Sequence, residues 1–359
     1  MEQSRLDSLR LIRSPQIGPV TYRQLIGRFG SATKALEAIP DMAARGGGKY
    51  PRLADLALVQ REVERTQALG ASYLFIGEPD YPPLLAEMET APPALIYRGD
   101  LSLAARRCIG MVGARNASAA ACRFARILAQ GLGAERVSVV SGLARGIDTA
   151  AHQGALSGGT IGVIASGIDI AYPPENAALQ EQVATQGLLL AEQPPGTQPL
   201  ARHFPSRNRI IAGLSVGTVV VEAAPKSGSL ITARLAGEAG RDVMAVPGSP
   251  LDPRAQGCNQ LIREGAILVQ SVADILEAVG PIHGAMLRQP VDPFIPAMAD
   301  ASDAERRHII DLLGPVPVPV DELIRQSGIA PALVQTVLLE LELAGRAERH
   351  AGGRVSLLR

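Results

Sequence analysis

Residues 137–156, VSVVSGLARGIDTAAHQGAL, run from a short β-branched segment through a cluster of Gly, Ser and Arg into a helical period. Val137 to Val140 reads as a buried strand, and Asp148 to Leu156 as a helix whose first-turn amides lack partners inside the helix. The same order recurs on both sides. Strands are expected at Cys108 to Val112, Thr160 to Ala165, Leu188 to Ala191, Thr218 to Val221, Asp242 to Val246 and Ala266 to Val269. Helices are expected at Ala119 to Leu132, Asn176 to Gln186 and Leu230 to Ala239. Parallel strands need crossovers, and crossover helices cover both faces of a sheet, so this alternation means an α/β fold with a mostly parallel sheet. Ligands of such sheets bind beyond the carboxyl ends of the strands.

Outward from this centre the pattern changes. Residues 1–72 read as a helical domain: Leu6, Leu9, Leu11 and Ile12 begin an apolar stripe, and Gly18-Pro19 turns the chain into a second helix, as in a helix-hairpin-helix. Gly46-Gly47-Gly48 marks a flexible loop between helices. The α/β domain is expected over 73–285, and 286–302, with Pro290, Pro293 and Pro296, reads as a linker. Residues 303–359 then give helices at Glu305 to Leu313, Val320 to Gln326 and Pro331 to Ala344. Two strands joined by Gly352-Gly353 follow, which is the pattern of a winged helix.

With 359 residues the chain has room for two or three domains. No apolar run approaches the roughly 20 residues of a membrane helix, and Met1 to Arg13 does not read as a secretory signal, so a cytoplasmic protein is expected. Cys108, Cys122 and Cys258 form no CxxC pair and read as small core side chains, with neither metal nor cofactor expected. The formal net charge is zero, which excludes a globally basic nucleic-acid binder but permits a local groove. Lysine occurs only at 34, 49 and 226, so the positive charge is nearly all guanidinium, whose planar fork suits phosphate.

Several expected strand ends carry clusters richer in Gly, Ser and Arg than turns require. Gly113 and Arg115 follow the first strand, without the GxGxxG spacing of a dinucleotide site. Ser141, Gly142, Arg145 and Gly146 precede a helix start able to receive an anion. Asp148 and His152, four apart, share a helix face, where a structural hydrogen bond outweighs an acid–base pair because no nucleophile is near in sequence. Phe204, Arg207, Asn208 and Arg209 lie on a further helix start; arginines two apart cannot face the same way, and Arg207 is the one expected to point inward. Lys226, Ser227, Gly228 and Ser229 lead into another helix, with hydroxyls and amides suited to phosphate. No GxxxxGK[ST] occurs, which excludes a P-loop motor.

These clusters belong to longer segments: YPPLL at 81–85, PPALIYRG at 92–99, VGAR at 112–115, SGLARGIDTAAHQGAL at 141–156, FPSRNRIIAG at 204–213, EAAPKSGSLITA at 222–233, VPGS at 246–249 and GCNQLIREGA at 257–266. In this order they resemble the DNA-processing protein A family, DprA, also called Smf, over roughly residues 75 to 280. The resemblance implies an extended Rossmann-like domain that binds single-stranded DNA and dimerises, with a helical domain before it and a winged helix after. It implies a recombination mediator that protects incoming DNA in natural transformation and loads RecA onto it. Arg115 matches the family's pocket arginine, and Ala114 departs from it where many relatives have Ser or Thr. Leu261 and Ile262 are the candidates for the dimer surface.

Aromatic residues make up 3% of the chain and Trp is absent, so phosphate contacts rather than a stacking platform should dominate binding. The competing reading is an enzyme, a nucleotide-binding phosphoribohydrolase with Glu222 or Glu192 as its carboxylate; the PGGxGT segment of such enzymes is missing before Glu222. A third reading gives DNA recognition to the winged helix. Its third helix carries Glu340 and Glu342 and no Arg or Lys, so it should pack or contact protein instead.

Overall fold

The run expected to be a strand from Cys108 to Val112 is one over the same five residues, all buried. The computed structural model describes residues 1–48, 53–280, 300–350 and 352–358; most of the expected linker lies outside them. Two units result: the chain's ends, Met1–Arg61 and Leu287–Arg359, form one, and Glu62–Met286 the other.

The amino-terminal helices are α1 (Gln3–Arg13), α2 (Pro19–Phe29), α3 (Ala32–Arg45) and α4 (Leu56–Ala68). Gly18 caps α2 with Pro19 in its first turn, as the Gly-Pro turn requires.

The second unit continues with β1 (Ser72–Phe75), α5 (Pro83–Ala86), β2 (Ala94–Gly99), β3 (Cys108–Val112), α6 (Ala119–Ala134), β4 (Ser138–Ser141), α7 (Ile147–Ala155) and β5 (Thr160–Gly167). Then follow α8 (Ala177–Gln186), β6 (Leu188–Gln193), α9 (His203–Leu214), β7 (Gly217–Val220), α10 (Gly228–Glu238), β8 (Asp242–Ala245), α11 (Gln256–Arg263), β9 (Ile267–Leu268) and α12 (Val272–Ala278). The sheet order is β1-β2-β6-β5-β4-β3-β7-β8-β9, parallel from β6 to β9, with β2 and β1 added antiparallel at one edge.

Alternation along each strand builds two cores. Cys108 and Val112 of β3 face the layer containing Ile210, Ile211 and Ala233, whereas Ile109 and Met111 face Leu128, Ala151 and Met244. Connections from β3 run to one side through β4, and those from β7 run to the other through β8. The carboxyl ends of β3 and β7 therefore flank the switch point of the sheet, where open α/β sheets hold their ligands.

In the first unit the carboxyl-terminal elements are α13 (Asp303–Asp311), β10 (Val318–Pro319), α14 (Val320–Ser327), α15 (Pro331–Leu343), β11 (Ala347–His350) and β12 (Arg354–Leu357). The strands pair in the order β10-β12-β11, giving the expected wing. The third helix, α15, packs on α3. Its Glu340 is fully buried and receives Arg306 at 2.8 Å and Arg45 of α3 at 2.7 Å. Glu342 accepts from Thr21 of α2 at 3.2 Å and pairs with Arg349. The glycine run expected as a flexible loop is, over Gly46 to Gly48, a packed helix end: a Cβ on Gly46 would lie 2.2 Å from the Glu340 carbonyl oxygen. The close approach of α3 to α15 is what demands glycine there.

Candidate nucleic-acid interface

The turn after β3 carries Gly113 to Asn116, the loop after β4 carries Gly142 to Gly146, and the loop after β7 runs into α10 at Ser227. α9 brings Phe204, Arg207 and Asn208 across these ends. Two adjoining clefts result. The first, about 590 Å³, is lined by Gly113, Arg115, Phe204, Arg207, Asn208 and the Lys226–Ser229 turn, among others. The second, about 330 Å³, lies between Arg115, Gly142, Arg145, Tyr172, Phe204 and Arg207. Arg115, Phe204 and Arg207 belong to both.

Arg207 forms the floor. It is 6% exposed, Nη1 donates to the Val163 carbonyl at 3.2 Å, and buried Nε has no hydrogen-bond partner. Its passage explains Gly142, since a Cβ there would sit 1.4 Å from Arg207 Nη1 and 2.8 Å from Asp148 Oδ2. Asp148 Oδ2 accepts from the amides of Gly142 at 3.2 Å and Ala144 at 3.4 Å. Burial pushes the Asp148 carboxyl up, opposed first by the Arg207 charge. Burial likewise lowers the Arg207 guanidinium, with Asp148 working to raise it and Arg115 to lower it further. Two guanidinia thus converge over one buried carboxyl, an arrangement that favours an added anion.

Arg115 is exposed, its guanidinium carbon 5.3 Å from the Phe204 ring centroid. Tyr172 meets the same ring edge-on at 5.8 Å. Lys226 is held at φ +65° before α10, and Ser227 caps that helix by accepting from the Ser229 amide at 3.4 Å. Asn208 Nδ2 donates to the Gly228 carbonyl at 3.4 Å and so ties α9 to the start of α10.

Other expected site residues serve the framework. The Ser141 hydroxyl donates to Met111 O at 2.6 Å inside the sheet. Gly146 starts α7 at φ +74°, where a Cβ would meet Ala114 O at 2.3 Å. The glycine at 113, which lines the first cleft, also admits Ile147, whose side chain would lie 2.5 Å from a Cβ there. Arg209 points away from Arg207, donating to Thr90 O and pairing with Glu192. His152 makes the structural bonds: Nε2 accepts from Leu143 N at 3.3 Å, Nδ1 meets Thr160 Oγ1 at 2.7 Å, and burial drives the imidazole down to about 3. Leu261 and Ile262 lie half-buried on α11, outside both clefts.

Sequence reasoning missed Asn116, Tyr172 and Arg254 as lining residues. Arg254 reaches the first cleft from the loop after β8, where Asp252 chelates it at 2.8 and 3.1 Å. Only the fold brings that loop over β7.

Residues 72–280, the sheet and both clefts, match the family model described as DNA recombination-mediator protein A. The chain belongs to that family. Residues 2–64 match the DprA-like N-terminal HHH domain and 296–353 the DprA winged helix domain. Among curated DprA/Smf relatives, Protein Smf of Synechocystis is 33% identical over 377 residues, covering 94% of this chain and 95% of the relative. The DNA processing protein DprA of Streptococcus pneumoniae is 50% identical over 198 residues, 55% of this chain and 70% of that one. The X-ray structure of the pneumococcal DprA superposes with a TM-score of 0.69 at 38% identity, covering 77% of this chain and 98% of that chain. DprA from Helicobacter pylori, described for its single-stranded DNA binding mode, gives 0.53 at 28% identity, covering 57% and 93%.

Proposed function

We propose that this chain is a recombination mediator of natural transformation that holds single-stranded DNA by its phosphates over the two clefts, protects it in the cytoplasm and loads RecA onto it. The observation that carries the reading is the floor of the clefts: buried Arg207, its Nε without a partner, beside Arg115 and above a single carboxyl. Arg115, Arg145 and Lys226 add charge around the rim, and the α10 amino terminus adds amides. Gly113, Phe204, Asn208, Ser227, Gly228 and Ser229 shape the same surface. Ser141, Gly146 and Arg209 support it from behind.

The activity is binding rather than turnover. Glu222, one carboxylate a hydrolase would need, accepts from the amide of Ser118 at 3.0 Å and its hydroxyl at 2.8 Å, and so holds the N-cap residue of α6. Glu192 is held by Arg209. Two copies joined through α11, with Leu261 and Ile262 in the contact, set two clefts on one strand and raise avidity through effective concentration.

The test is a salt-titrated comparison of single-stranded with duplex oligonucleotides. Three or four neutralised phosphates per protomer give a slope of log affinity against log salt of about −2 to −3, from roughly −0.7 per contact. A slope near zero, or free base accumulating from nucleoside monophosphates, refutes the reading.

A further inference from the structure

The cations around the clefts are not equally available. Arg207 is countered from below by Asp148, and Arg254 by Asp252 within its own loop. Arg145 is met from outside: its Nη2 pairs with Oε1 of Glu175, on the short turn Pro174–Asn176. That turn directly follows Tyr172 and Pro173, which with Pro174 form a wall of the second cleft. Both partners lie in solvent, with 62% of the Arg145 side chain and 50% of the Glu175 side chain exposed. A carboxylate and a phosphate diester carry the same charge and offer a guanidinium the same kind of oxygen acceptors. They therefore compete for one fork.

We propose that Glu175 is an internal competitor for the strand: it occupies Arg145 while the cleft is empty, and a backbone phosphate must displace it to use that guanidinium. The inference rests on the phosphate-binding reading above. An exposed pair is weak enough to be exchanged without a large penalty, so each strand contact at this rim is reversible. Occupied by its own carboxylate, the rim holds DNA less tightly and releases it sooner than the count of arginines implies. That suits the mediator role proposed above.

The experiment uses the full chain, a fluorescently labelled oligothymidylate and stopped-flow dissociation. Glu175→Gln keeps the size of the side chain and sits on an exposed turn. It should tighten binding about two- to five-fold at low salt, with the change in the dissociation rate. The bound strand reaches Arg145 in both proteins, so the salt slope should stay within about 0.7, one phosphate contact, of the wild type. In an Arg145→Ala background the same substitution should change nothing. Glu181→Gln serves as the control, because Glu181 pairs with Arg98 outside both clefts and its loss should leave binding unaltered. Wild-type affinity in Glu175→Gln overturns the proposal, and so does a gain that persists without Arg145, which would be a general field effect. A wild-type chain that fails to bind the oligonucleotide at all overturns the underlying reading instead and takes this one with it.

Discussion

Arg115→Ala separates binding from stability more cleanly than any other change at the site. Arg115 is exposed and its guanidinium rests on Phe204 at 5.3 Å, so the folded chain loses one cation–π contact, about 0.5–1 kcal/mol at an exposed site. For a unit of this size that lowers Tm by no more than about 4 °C. Binding loses far more, because the same guanidinium lines both clefts and a charge-assisted contact contributes about 1–3 kcal/mol. Affinity should fall about 5- to 150-fold, equally for every sequence of oligonucleotide, and the salt slope should become shallower by about 0.7. Fluorescence anisotropy at four salt concentrations reads both quantities, and a thermal melt reads the stability. Unchanged affinity would place the DNA elsewhere on the molecule. A lost affinity accompanied by a collapsed Tm would show that Arg115 is a structural residue and that the reasoning about its exposure is wrong.

Gly142→Ala should be far more damaging than its size implies, since the new methyl displaces Arg207 from above Asp148; both Tm and affinity should drop, and retention of either contradicts the packing at the cleft floor. Acid should weaken the second unit through His152. Its folded value near 3 lies below the ordinary 6.5, so its contribution is whole above pH 6.5 and is lost as pH falls towards 3, by at most about 1.4 kcal/mol per pH unit. Asp148 works the other way, because its raised carboxyl is relieved of charge as pH falls towards the ordinary carboxylate value. Melts of His152→Asn should therefore flatten the decline between pH 6.5 and 5; a slope like that of the wild type would mean the imidazole is not buried neutral. Glu340→Ala takes the buried carboxylate from Arg306 and Arg45, leaves Arg306 only the exposed Asp303 at 2.8 Å, and should cost about 3 kcal/mol in urea unfolding of the first unit, with oligonucleotide affinity unchanged. Loss of DNA binding in that variant would assign the terminal unit a direct part in the interface.

The parallel sheet was legible because its central strands, β3 to β7, are buried on both faces and read as short apolar runs bounded by Gly and Ser. β3 is matched residue for residue, and β4, β5, β6, β7 and β8 to within two at either end. β1 and β2 were not, since Pro82, Pro83, Pro92 and Pro93 surround them with turn signals and they join the sheet through antiparallel pairing at its edge. Along α9, helical spacing sends Arg207 and Arg209 to different partners, Val163 and Thr90, because the 3.6-residue period needs only spacing. It gave no warning that Ser141 bonds back into the sheet, that Arg254 arrives from the loop after β8, or that Asp148 lies beneath two arginines. Those facts depend on which loops the strand order brings together, and strand order is a property of long-range packing. The acidic character of α15 was visible as composition, whereas its partner Arg45 stands 295 residues away.

That distance imposes an order on biosynthesis. A ribosome adding about 5–20 residues per second needs roughly 15 to 60 s to travel from Arg45 to Glu340. Throughout that interval the newly made amino-terminal helices must wait with the surface around Gly46 uncovered, while the whole of the second unit is synthesised behind them. The parallel sheet is therefore complete before the two ends of the polypeptide can close on each other, and the last helix to emerge finishes the first domain that was begun.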